Sequence, residues 1–434
     1  MKKNKISIIG IGKLGLPLAL CFQKSGIDVA VYDIDHERVK EIKNNTFKTD
    51  EKDVNDLLLK FSDDITFSQS TQELVDFSET FIVLVNTQIN ETYSSINVAA
   101  VIDDLVNDLT DNSKIYKIII SSTIMPGDIN SKIKPILDKV EPKIELYYIP
   151  DFVKLGSVIH DFENPDFLII GNENTNTSID YVENIYKTLI KNNAPIRKLS
   201  MGEAELAKLA FNTYYLTKLS FVNMLSNICN KLDDTNVDSI TNAIGPDPRI
   251  NNGTKFFKGG TAFGGTCLHR DINAFIQFAD SVGINSGLIK EAENINSFQN
   301  ILLSDYISKE ASSGDKVGVY GLTFKPDTDV ITHSASIEVI KNLENKDIEI
   351  AIFDNSKIAI NKAKDLFLDN ITECESLEML VSSSDVIVLM HLGQNLTKLN
   401  PKLLKDKIFI DPWRNIKKSS DYKVVHLGKT LLKD

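Results

Sequence analysis

The chain has 434 residues, which is too long for one hydrophobic core and predicts two or three domains. Its 60 acidic and 48 basic residues give a net charge of −12, which argues against general affinity for nucleic acid or for an anionic membrane. No apolar run reaches the roughly 18 residues that a membrane span needs. The four cysteines lie far apart, without metal or disulfide spacing. We therefore expect a cytoplasmic protein with no metal site.

A glycine-rich turn follows the first strand-like segment. Residues 5–9 predict a buried strand, and the segment GIGKLG (10–15) leads into an apolar helix that runs to Lys24. In this context Gly10 makes the tight turn, Gly12 lets a pyrophosphate approach, and Gly15 packs the helix on the strand. Asp33 ends the next strand (27–33), where it can accept from the ribose hydroxyls and would repel a 2′-phosphate. NAD is therefore favoured over NADP, and a turn that binds no nucleotide is the alternative.

Two further strands, at 81–85 and 117–121, each end in polar residues. Ligands of doubly wound sheets bind at the carboxyl ends of the strands, so these tips should face the cofactor, although they are also ordinary turn formers. The expected cofactor contacts are Gly10, Ile11, Gly12, Leu14, Gly15, Asp33, Asn86, Thr87 and Thr123.

From about 202 to 232 the pattern changes to long helical periodicity, which is typical of a helix that bridges domains and pairs with a second subunit.

Farther on, the segment FGGTCLHRD (263–271) places Cys267 just after two glycines, with Thr266 between. A helix beginning near Thr266 would stack Asp271 beside the thiol, an arrangement suited to covalent catalysis. A buried structural cysteine is the alternative.

A second nucleotide-type unit begins at a predicted strand over 316–321. A helix over 336–343 and a strand over 348–354 follow, and strand-like runs occur at 386–389 and 408–411. The glycines here do not complete a dinucleotide fingerprint, so the pattern allows a different nucleotide or a purely structural repeat. The chain as a whole predicts an α/β protein with two Rossmann-like doubly wound domains. They are joined by a helical central domain with a long bridging helix.

Taken together, these motifs resemble the UDP-glucose/GDP-mannose dehydrogenase family along nearly the whole chain. The segments that carry the resemblance are GIGKLGLPLA from Gly10, SSTIMPG from Ser121, GSVIHDFENPDFLIIG from Gly156, AELAKLAFNTYYLTKLSFVN from Ala204, FGGTCLHRD from Phe263, YGLTFKPDTD from Tyr320 and DPWRN from Asp411. The resemblance implies an NAD-binding domain (1–198), a central helical domain (199–304) and a domain that binds the sugar nucleotide (305–434). It also implies that the protein oxidises the C6 alcohol of a sugar nucleotide to the uronate, for polysaccharide biosynthesis. UDP-hexoses and UDP-N-acetylhexosamines are the expected substrates, and GDP-mannose is the alternative.

The resemblance also implies a role for individual residues. Cys267 would capture the aldehyde as a thiohemiacetal that becomes a thioester, while Lys208 and Asn212, four apart on one helix face, stabilise the alkoxide. Asp271 would orient the lysine or the thiol, and Thr123 would hold the water. The catalytic set also includes Asp151, and the implied substrate contacts are Arg249, Lys258, Phe263, Gly264, Lys325 and Arg414. Arg249 would reach a neighbouring subunit's substrate, which implies a homodimer.

The chain departs from the family pattern at several positions. The family's two glutamates correspond to Asp151 and Leu155, and the arginine after the KPxTDD-like segment is absent from the run 330–334. Arg270 stands in place of a lysine, with His269 beside it, and Gln88 replaces a proline. These changes leave open the alternative that the chain is a sugar-nucleotide-binding member of the family with reduced or lost turnover. A hydroxyacid dehydrogenase of the 6-phosphogluconate type is a further alternative, but it needs neither the cysteine motif nor a second α/β domain.

Overall fold

The computed structural model describes residues 4–49, 51–173, 178–250, 257–344, 346–394 and 396–429. The side chains of Cys267 and Asp369 also lie outside the description. The chain forms two compact units, the first made of residues 1–211 and 273–278 and the second of residues 212–272 and 279–434. The predicted division into three domains concerns regions of the sequence, not these two compact units, and it stays a prediction. No helix among the described residues is both long enough and apolar enough to span a membrane.

The first unit is built on an eight-stranded sheet with a small hairpin beside it. Its strands are β1 (Lys5–Ile9), β2 (Asp28–Tyr32), β3 (Thr66–Phe67), β4 (Thr80–Val83), β5 (Gln88–Ile89), β6 (Thr92–Tyr93), β7 (Ile115–Ile120), β8 (Lys143–Tyr148), β9 (Leu168–Asn172) and β10 (Ile196–Ser200). Its helices are α1 (Gly15–Lys24), α2 (His36–Lys43), α3 (Val54–Phe61), α4 (Thr71–Phe77), α5 (Ile96–Asn107), α6 (Lys134–Leu137), α7 (Val158–Glu163) and α8 (Asp180–Lys187). The order in the sheet is β10-β9-β8-β7-β4-β1-β2-β3, and β5 pairs with β6.

The central strands β1, β4 and β7 are buried on both faces, which explains their nearly continuous apolar sequences. Ile8 of β1 and Ile82 of β4 pack into one core cluster with α1, whereas Ile9 and Val83 pack into a second cluster with α5. Alternate side chains point to opposite faces of a strand, so one apolar run supplies both layers. All pairings in this sheet are parallel except that of β8 with β9.

The helix α9 (Met201–Cys229) belongs to both units, because the boundary between them falls after Phe211. The helix α11 (Thr266–Ser281) is likewise divided, because its residues 273–278 belong to the first unit. The other elements of the second unit are α10 (Val237–Ile244), α12 (Gly287–Glu310), β11 (Lys316–Tyr320), α13 (Ala335–Leu343), β12 (Glu349–Phe353), α14 (Lys357–Phe367), β13 (Ile371–Glu373), α15 (Leu377–Ser383), β14 (Val386–Leu389), β15 (Ile408–Asp411) and β16 (Lys423–His426). Its six strands are all parallel, in the order β13-β12-β11-β14-β15-β16. The predicted pair of doubly wound sheets and the long helix are therefore confirmed.

The turn after β11 repeats the turn after β1. Gly321 has φ +96°, and its N–H donates to the Phe353 carbonyl at 2.9 Å. Asp354 follows β12, and its carboxylate accepts from the N–H of Leu322 at 2.6 Å and from the N–H of Ser356 at 2.8 Å. The second sheet thus has the strand–turn–strand geometry of a nucleotide-binding unit, although its glycine spacing does not match the fingerprint.

Candidate active site

The glycine turn after β1 has the geometry that a pyrophosphate requires. Gly10 has φ +95°, a conformation that glycine adopts easily, and its N–H donates to the Tyr32 carbonyl at 2.8 Å. A Cβ on Gly15 would lie 1.9 Å from the Gly10 oxygen, whereas a Cβ on Gly12 would meet nothing within 4 Å. The turn is closed where α1 packs on it and open at Gly12. A pyrophosphate therefore fits at the N-terminal end of α1.

Asp33 fixes this turn from the end of β2. Its Oδ2 accepts from the N–H of Ile11 at 2.7 Å, and its Oδ1 accepts from the N–H of Asp35 at 2.8 Å. Each carboxylate oxygen can accept a second hydrogen bond, so the carboxylate still has acceptor capacity for ribose hydroxyls. The guanidinium of Arg38 lies 3.7 Å from Asp33 Oδ2. Leu14, another predicted contact, is half-buried just before α1.

The tips of β4 and β7 are tied to each other, as expected for neighbouring strands. The hydroxyl of Thr87 donates to the Thr123 carbonyl at 2.6 Å, and the hydroxyl of Ser122 donates to the Val85 carbonyl at 2.8 Å. Asn86 is exposed. Thr87 and Thr123 therefore lie together at the carboxyl edge of the sheet, the edge that also carries the glycine turn.

Glu205 of α9 holds the segment that follows Thr123, and the sequence analysis did not identify it. Its side chain is fully buried and accepts from the N–H of Gly127 at 2.8 Å and from the N–H of Ile129 at 3.0 Å. Burial raises the pKa of this carboxyl, and the two N–H groups oppose that shift. A charged residue inside the apolar run of AELAKLA was the available signal.

Lys208 and Asp151 meet in the first unit. The ammonium of Lys208 donates to the Asp151 main-chain carbonyl at 2.6 Å and lies 5.0 Å from the centroid of the Phe152 ring. Asp151 Oδ2 is buried and has no hydrogen-bond partner among the described residues. Burial raises the pKa of Asp151 to about 7, and the charge of Lys208 partly offsets this effect. The pair thus combines an oriented ammonium with a carboxyl that exchanges its proton near neutral pH.

In the second unit, Asn212 and Asp271 are bonded to each other. Asn212 follows Lys208 by one turn of α9, and its amide nitrogen donates to Asp271 Oδ2. Asp271 is 1% exposed. α11 begins at Thr266, as the sequence predicts, so Cys267 lies in its first turn, four residues before Asp271. The side chain of Cys267 is outside the described part of the chain, and its role stays a prediction.

The predicted substrate contacts differ in their surroundings. Arg249 is 87% exposed and is paired with Asp247 at 2.6 Å. Lys258 is half-buried beside the buried Phe257, and a Cβ on Gly264 would lie 2.0 Å from the His333 carbonyl oxygen. Phe263 is half-buried, and the ammonium of Lys325 lies 5.7 Å from the Phe324 ring. Their contacts with a substrate stay predictions.

Arg414 is the predicted substrate contact with the most internal partners. Its side chain is 5% exposed and forms a bidentate pair with Asp238, at 2.7 and 2.9 Å. Its remaining hydrogen bonds go to three main-chain carbonyls, those of Pro412, Leu427 and Gly259. A guanidinium has five N–H groups, and these five bonds use all of them. This arrangement favours an indirect role, in which Arg414 holds the segment at Gly259 in place.

The residues at positions that depart from the family pattern make contacts of their own within the protein. Leu155 packs against a core cluster of the first unit, so its surroundings are apolar. His269 Nδ1 lies 3.0 Å from Glu293 Oε1, and the rings of His269 and His333 are 4.7 Å apart. Thr332 is exposed. The imidazole rings of His269 and His333 therefore lie together at the run 330–334, within the second unit.

Comparison with known proteins agrees with this geometry. Three sequence models of the UDP-glucose/GDP-mannose dehydrogenase family match the chain: the NAD binding domain over 4–190, the central domain over 202–298 and the UDP binding domain over 318–418. The chain belongs to this family. It is accordingly an NAD-dependent oxidoreductase, and the glycine turn with Asp33 is where NAD fits.

The relatives cover almost the full length of the chain. The UDP-glucose 6-dehydrogenase TuaD of Bacillus subtilis (strain 168) is 26% identical over 423 residues, which are 94% of this chain and 88% of that protein. A UDP-glucose dehydrogenase from Pyrobaculum islandicum is similar in structure, with a TM-score of 0.85 at 23% identity over 97% of both chains. The UDP-N-acetyl-mannosamine dehydrogenase Cap5O of Staphylococcus aureus has a TM-score of 0.76 at 23% identity, over 98% of both chains. The two structural likenesses establish the fold.

Proposed function

We propose that this enzyme oxidises the C6 alcohol of a UDP-hexose or UDP-N-acetylhexosamine to the uronate, for polysaccharide biosynthesis. The observation that carries the proposal is the pair of Lys208 and Asp151, in which an ammonium is oriented beside a carboxyl with a pKa of about 7. Alcohol oxidation needs a cation near the developing alkoxide, and hydrolysis of an acyl intermediate needs a base active near neutral pH. The names of the similar enzymes from Bacillus subtilis and Staphylococcus aureus support this substrate class.

The first oxidation uses the polar face of α9. Lys208 and Asn212, one turn apart, stabilise the negative charge that develops on the C6 oxygen as its proton leaves. NAD, when bound, supplies the hydride acceptor, and one NAD is consumed in each of the two oxidations. The product of this step is an aldehyde at C6.

The second oxidation requires Cys267. Its sulfur adds to the aldehyde carbon and the carbonyl oxygen takes up a proton, which gives a thiohemiacetal. Loss of a second hydride and of the hydroxyl proton then gives a thioester. Asp271 orients the Cys267 thiol, and the hydrogen bond from Asn212 fixes the Asp271 carboxylate.

Hydrolysis completes the reaction. Thr123 holds a water molecule, and Asp151 in its deprotonated form accepts a proton as the water oxygen attacks C6. The carbon–sulfur bond then breaks, which releases the uronate and restores the thiolate. Leu155 cannot accept a proton, so Asp151 is the one carboxyl that remains of the family's pair.

Substrate recognition falls to basic residues and to the segment before Cys267. Lys258, Lys325 and Arg249 supply positive charge for the pyrophosphate, while Phe263 and Gly264 contact the sugar. Arg414 acts through Gly259, because its hydrogen bonds are all used internally.

The enzyme acts as a homodimer through α9. Apolar side chains on this helix are exposed at seven-residue spacing, with Tyr214 68%, Phe221 46% and Ile228 46% accessible. Residues seven apart lie on nearly the same face of a helix, so the three form one stripe. A second copy of the chain would cover this stripe and bring Arg249 to its neighbour's substrate.

A panel of sugar nucleotides tests the proposal. The purified enzyme is incubated with NAD and one candidate substrate at a time, and the formation of NADH is followed by its absorbance. The candidates are UDP-glucose, UDP-N-acetylhexosamines, GDP-mannose and 6-phosphogluconate. We expect NADH with a UDP-sugar and not with 6-phosphogluconate. Binding of a UDP-sugar without any NADH would instead favour a family member that has lost turnover. Oxidation of 6-phosphogluconate alone would contradict the proposal.

A further inference from the structure

The segment that leads into the cysteine motif runs from Phe257 to Gly265, and side-chain amides hold its main chain. The N–H of Gly260 donates to Asn223 Oδ1 at 2.9 Å, and the Gly260 carbonyl accepts from the amide of Gln299 at 2.6 Å. Asn223 also donates to the Thr261 carbonyl at 3.2 Å. The segment therefore receives from side chains the bonds that a neighbouring strand would otherwise supply.

Asn296 makes the most specific of these contacts. Its Oδ1 accepts from the N–H of Phe263 at 2.9 Å, and its Nδ2 donates to the carbonyl of the same residue at 3.1 Å. One amide thus pairs with both polar groups of one residue, as a facing residue does in an antiparallel sheet. Asn296 and Gln299 lie three apart on α12, so both reach the segment from one helix face.

All three amide side chains are buried, with 2% exposure for Asn296, 0% for Gln299 and 3% for Asn223. The other side of the segment is equally close-packed, since a Cβ on Gly260 would lie 2.3 Å from the Trp413 ring. Leaving a buried amide unpaired is costly, which makes any other path of the main chain unfavourable. The segment is consequently held in one conformation before substrate binds.

We propose that Asn296, assisted by Asn223 and Gln299, is a positioning residue for the sugar-nucleotide site. It fixes the main chain of Phe263. It thereby also fixes the positions of Gly264, which follows Phe263, and of the first turn of α11. The kinetic part of this inference rests on the proposed function, whereas the structural part does not. The reaction needs the reacting groups in place to within a fraction of an ångström, so a freed Phe263 should weaken sugar-nucleotide use without affecting the NAD turn.

The first test needs no activity. Hydrogen exchange is measured on the full-length protein without ligand, for wild type, Asn296→Leu and Asn294→Leu, where Asn294 is an exposed residue of the same helix. We expect the Phe263 amide to exchange about tenfold faster or more in Asn296→Leu, and to be unchanged in Asn294→Leu. Unchanged exchange in Asn296→Leu would overturn the proposal, whether or not the protein turns over any sugar nucleotide.

The second test uses Asn296→Asp, with Asn294→Asp as its control. The new carboxyl keeps an acceptor for the Phe263 N–H, but it can donate to the Phe263 carbonyl only when protonated. Burial raises the pKa of such a carboxyl. The kcat/KM for the sugar nucleotide, relative to wild type, should therefore rise as pH falls, while the KM for NAD stays unchanged.

The kinetic results decide the positioning role. In Asn296→Leu we expect the kcat/KM for the sugar nucleotide to fall by about 10²-fold at every pH. Faster exchange with wild-type kinetics, or a ratio for Asn296→Asp that does not depend on pH, would contradict positioning. Absence of turnover in wild type would instead count against the proposed function and leave the exchange result to decide the inference.

Discussion

At the scale of single residues, Asp151 has the two properties that a proton acceptor needs at neutral pH. Its carboxyl is shielded from water, which raises its pKa to about 7, and Oδ2 has no partner among the described residues. A group with a pKa near the working pH is present in both protonation states in useful amounts. Leu155, in contrast, packs against a core cluster and has no group that could accept a proton.

Replacing Asp151 by Asn should slow hydrolysis more than hydride transfer. We expect a burst of NADH followed by a steady state about 10²–10⁴-fold slower than in wild type, because the base is lost. Stopped-flow measurement of NADH separates the two phases. Asp104→Asn, on the exposed face of α5, is the control and should behave as wild type. An unchanged steady state in Asp151→Asn would remove this carboxyl from the mechanism.

The same carboxyl should make stability depend on pH. In the unfolded chain it titrates near its ordinary pKa of about 3.9, whereas in the folded protein it titrates at about 7. Between these values the folded state binds more protons, so the free energy of unfolding falls as pH rises. Relative to Asp151→Asn, the free energy of unfolding of wild type should fall between about pH 4 and pH 7. Above pH 7 the difference between the two proteins should stay constant. Denaturant unfolding of both proteins across this range measures the difference. A difference in the free energy of unfolding that does not change with pH would contradict a raised pKa of Asp151.

Asp33 should determine the choice of cofactor. Asp33→Ala removes an acceptor for the ribose and a charge that repels a 2′-phosphate. It also leaves Arg38 with Asp35, 2.9 Å away, as its remaining carboxylate partner, so that the guanidinium can meet a 2′-phosphate. We expect the preference for NAD over NADP, as a ratio of kcat/KM values, to fall by about tenfold or more. The double variant Asp33→Ala, Arg38→Ala should lose the gain in NADP use. Equal use of both cofactors by wild type would contradict the assignment.

At the scale of elements, α9 combines several tasks along 29 residues. Glu205 holds the segment after Thr123, Lys208 reaches the Asp151 carbonyl, and Asn223 supports the segment before Cys267. The exposed stripe at Tyr214, Phe221 and Ile228 lies on the same helix. A long helix is a rigid support, so we expect changes on the stripe to affect both assembly and turnover.

Phe221→Glu tests the stripe. A charge buried in the dimer contact should weaken association by about 30-fold or more, the equivalent of about 2 kcal/mol. Sedimentation velocity should then show monomers at concentrations where wild type is dimeric, and activity should fall because Arg249 no longer reaches a neighbour. Leu59→Glu introduces the same charge at a 67% exposed position of α3 and should leave assembly unchanged. A fully active wild-type monomer would refute the dimer.

Much of the fold could be predicted because its strands are buried and apolar. The bounds of β1, β14 and β15 agree with the sequence prediction, and α9 and the start of α11 were also predicted closely. Periodicity says nothing about direction, so the antiparallel pairing of β8 with β9 could not be predicted. Short helices such as α10, with eight residues, span too few turns for a period to stand out, and the sequence analysis did not predict them.

The site was less predictable, because its support depends on contacts between distant parts of the chain. A motif identifies Arg414, but only the structure reveals that Asp238 and three carbonyls use its hydrogen bonds. Asn296 and Gln299 are polar residues of a helix and would ordinarily be assigned to its solvent face. Their burial against the main chain of the segment 257–265 becomes evident only in three dimensions.

At the scale of the whole molecule, each compact unit carries a part of the predicted set of site residues. The first unit carries the NAD turn, Lys208 and Asp151, and the second carries Asn212, Asp271 and Cys267. The turns of Asp33 and Asp354 are alike in geometry, yet the matching domains are described as binding NAD and UDP respectively. Two turns of similar geometry thus lie in domains whose family descriptions name different ligands.

The central claim is that one active site performs two oxidations through a thioester on Cys267. The most direct measurement is the amount of NADH formed per sugar nucleotide consumed, with the intact mass of the protein recorded during turnover. We predict two NADH per sugar, an acyl adduct on wild type, and neither adduct nor uronate in Cys267→Ala. One NADH per sugar in wild type, or uronate formation by Cys267→Ala at the wild-type rate, would contradict the account.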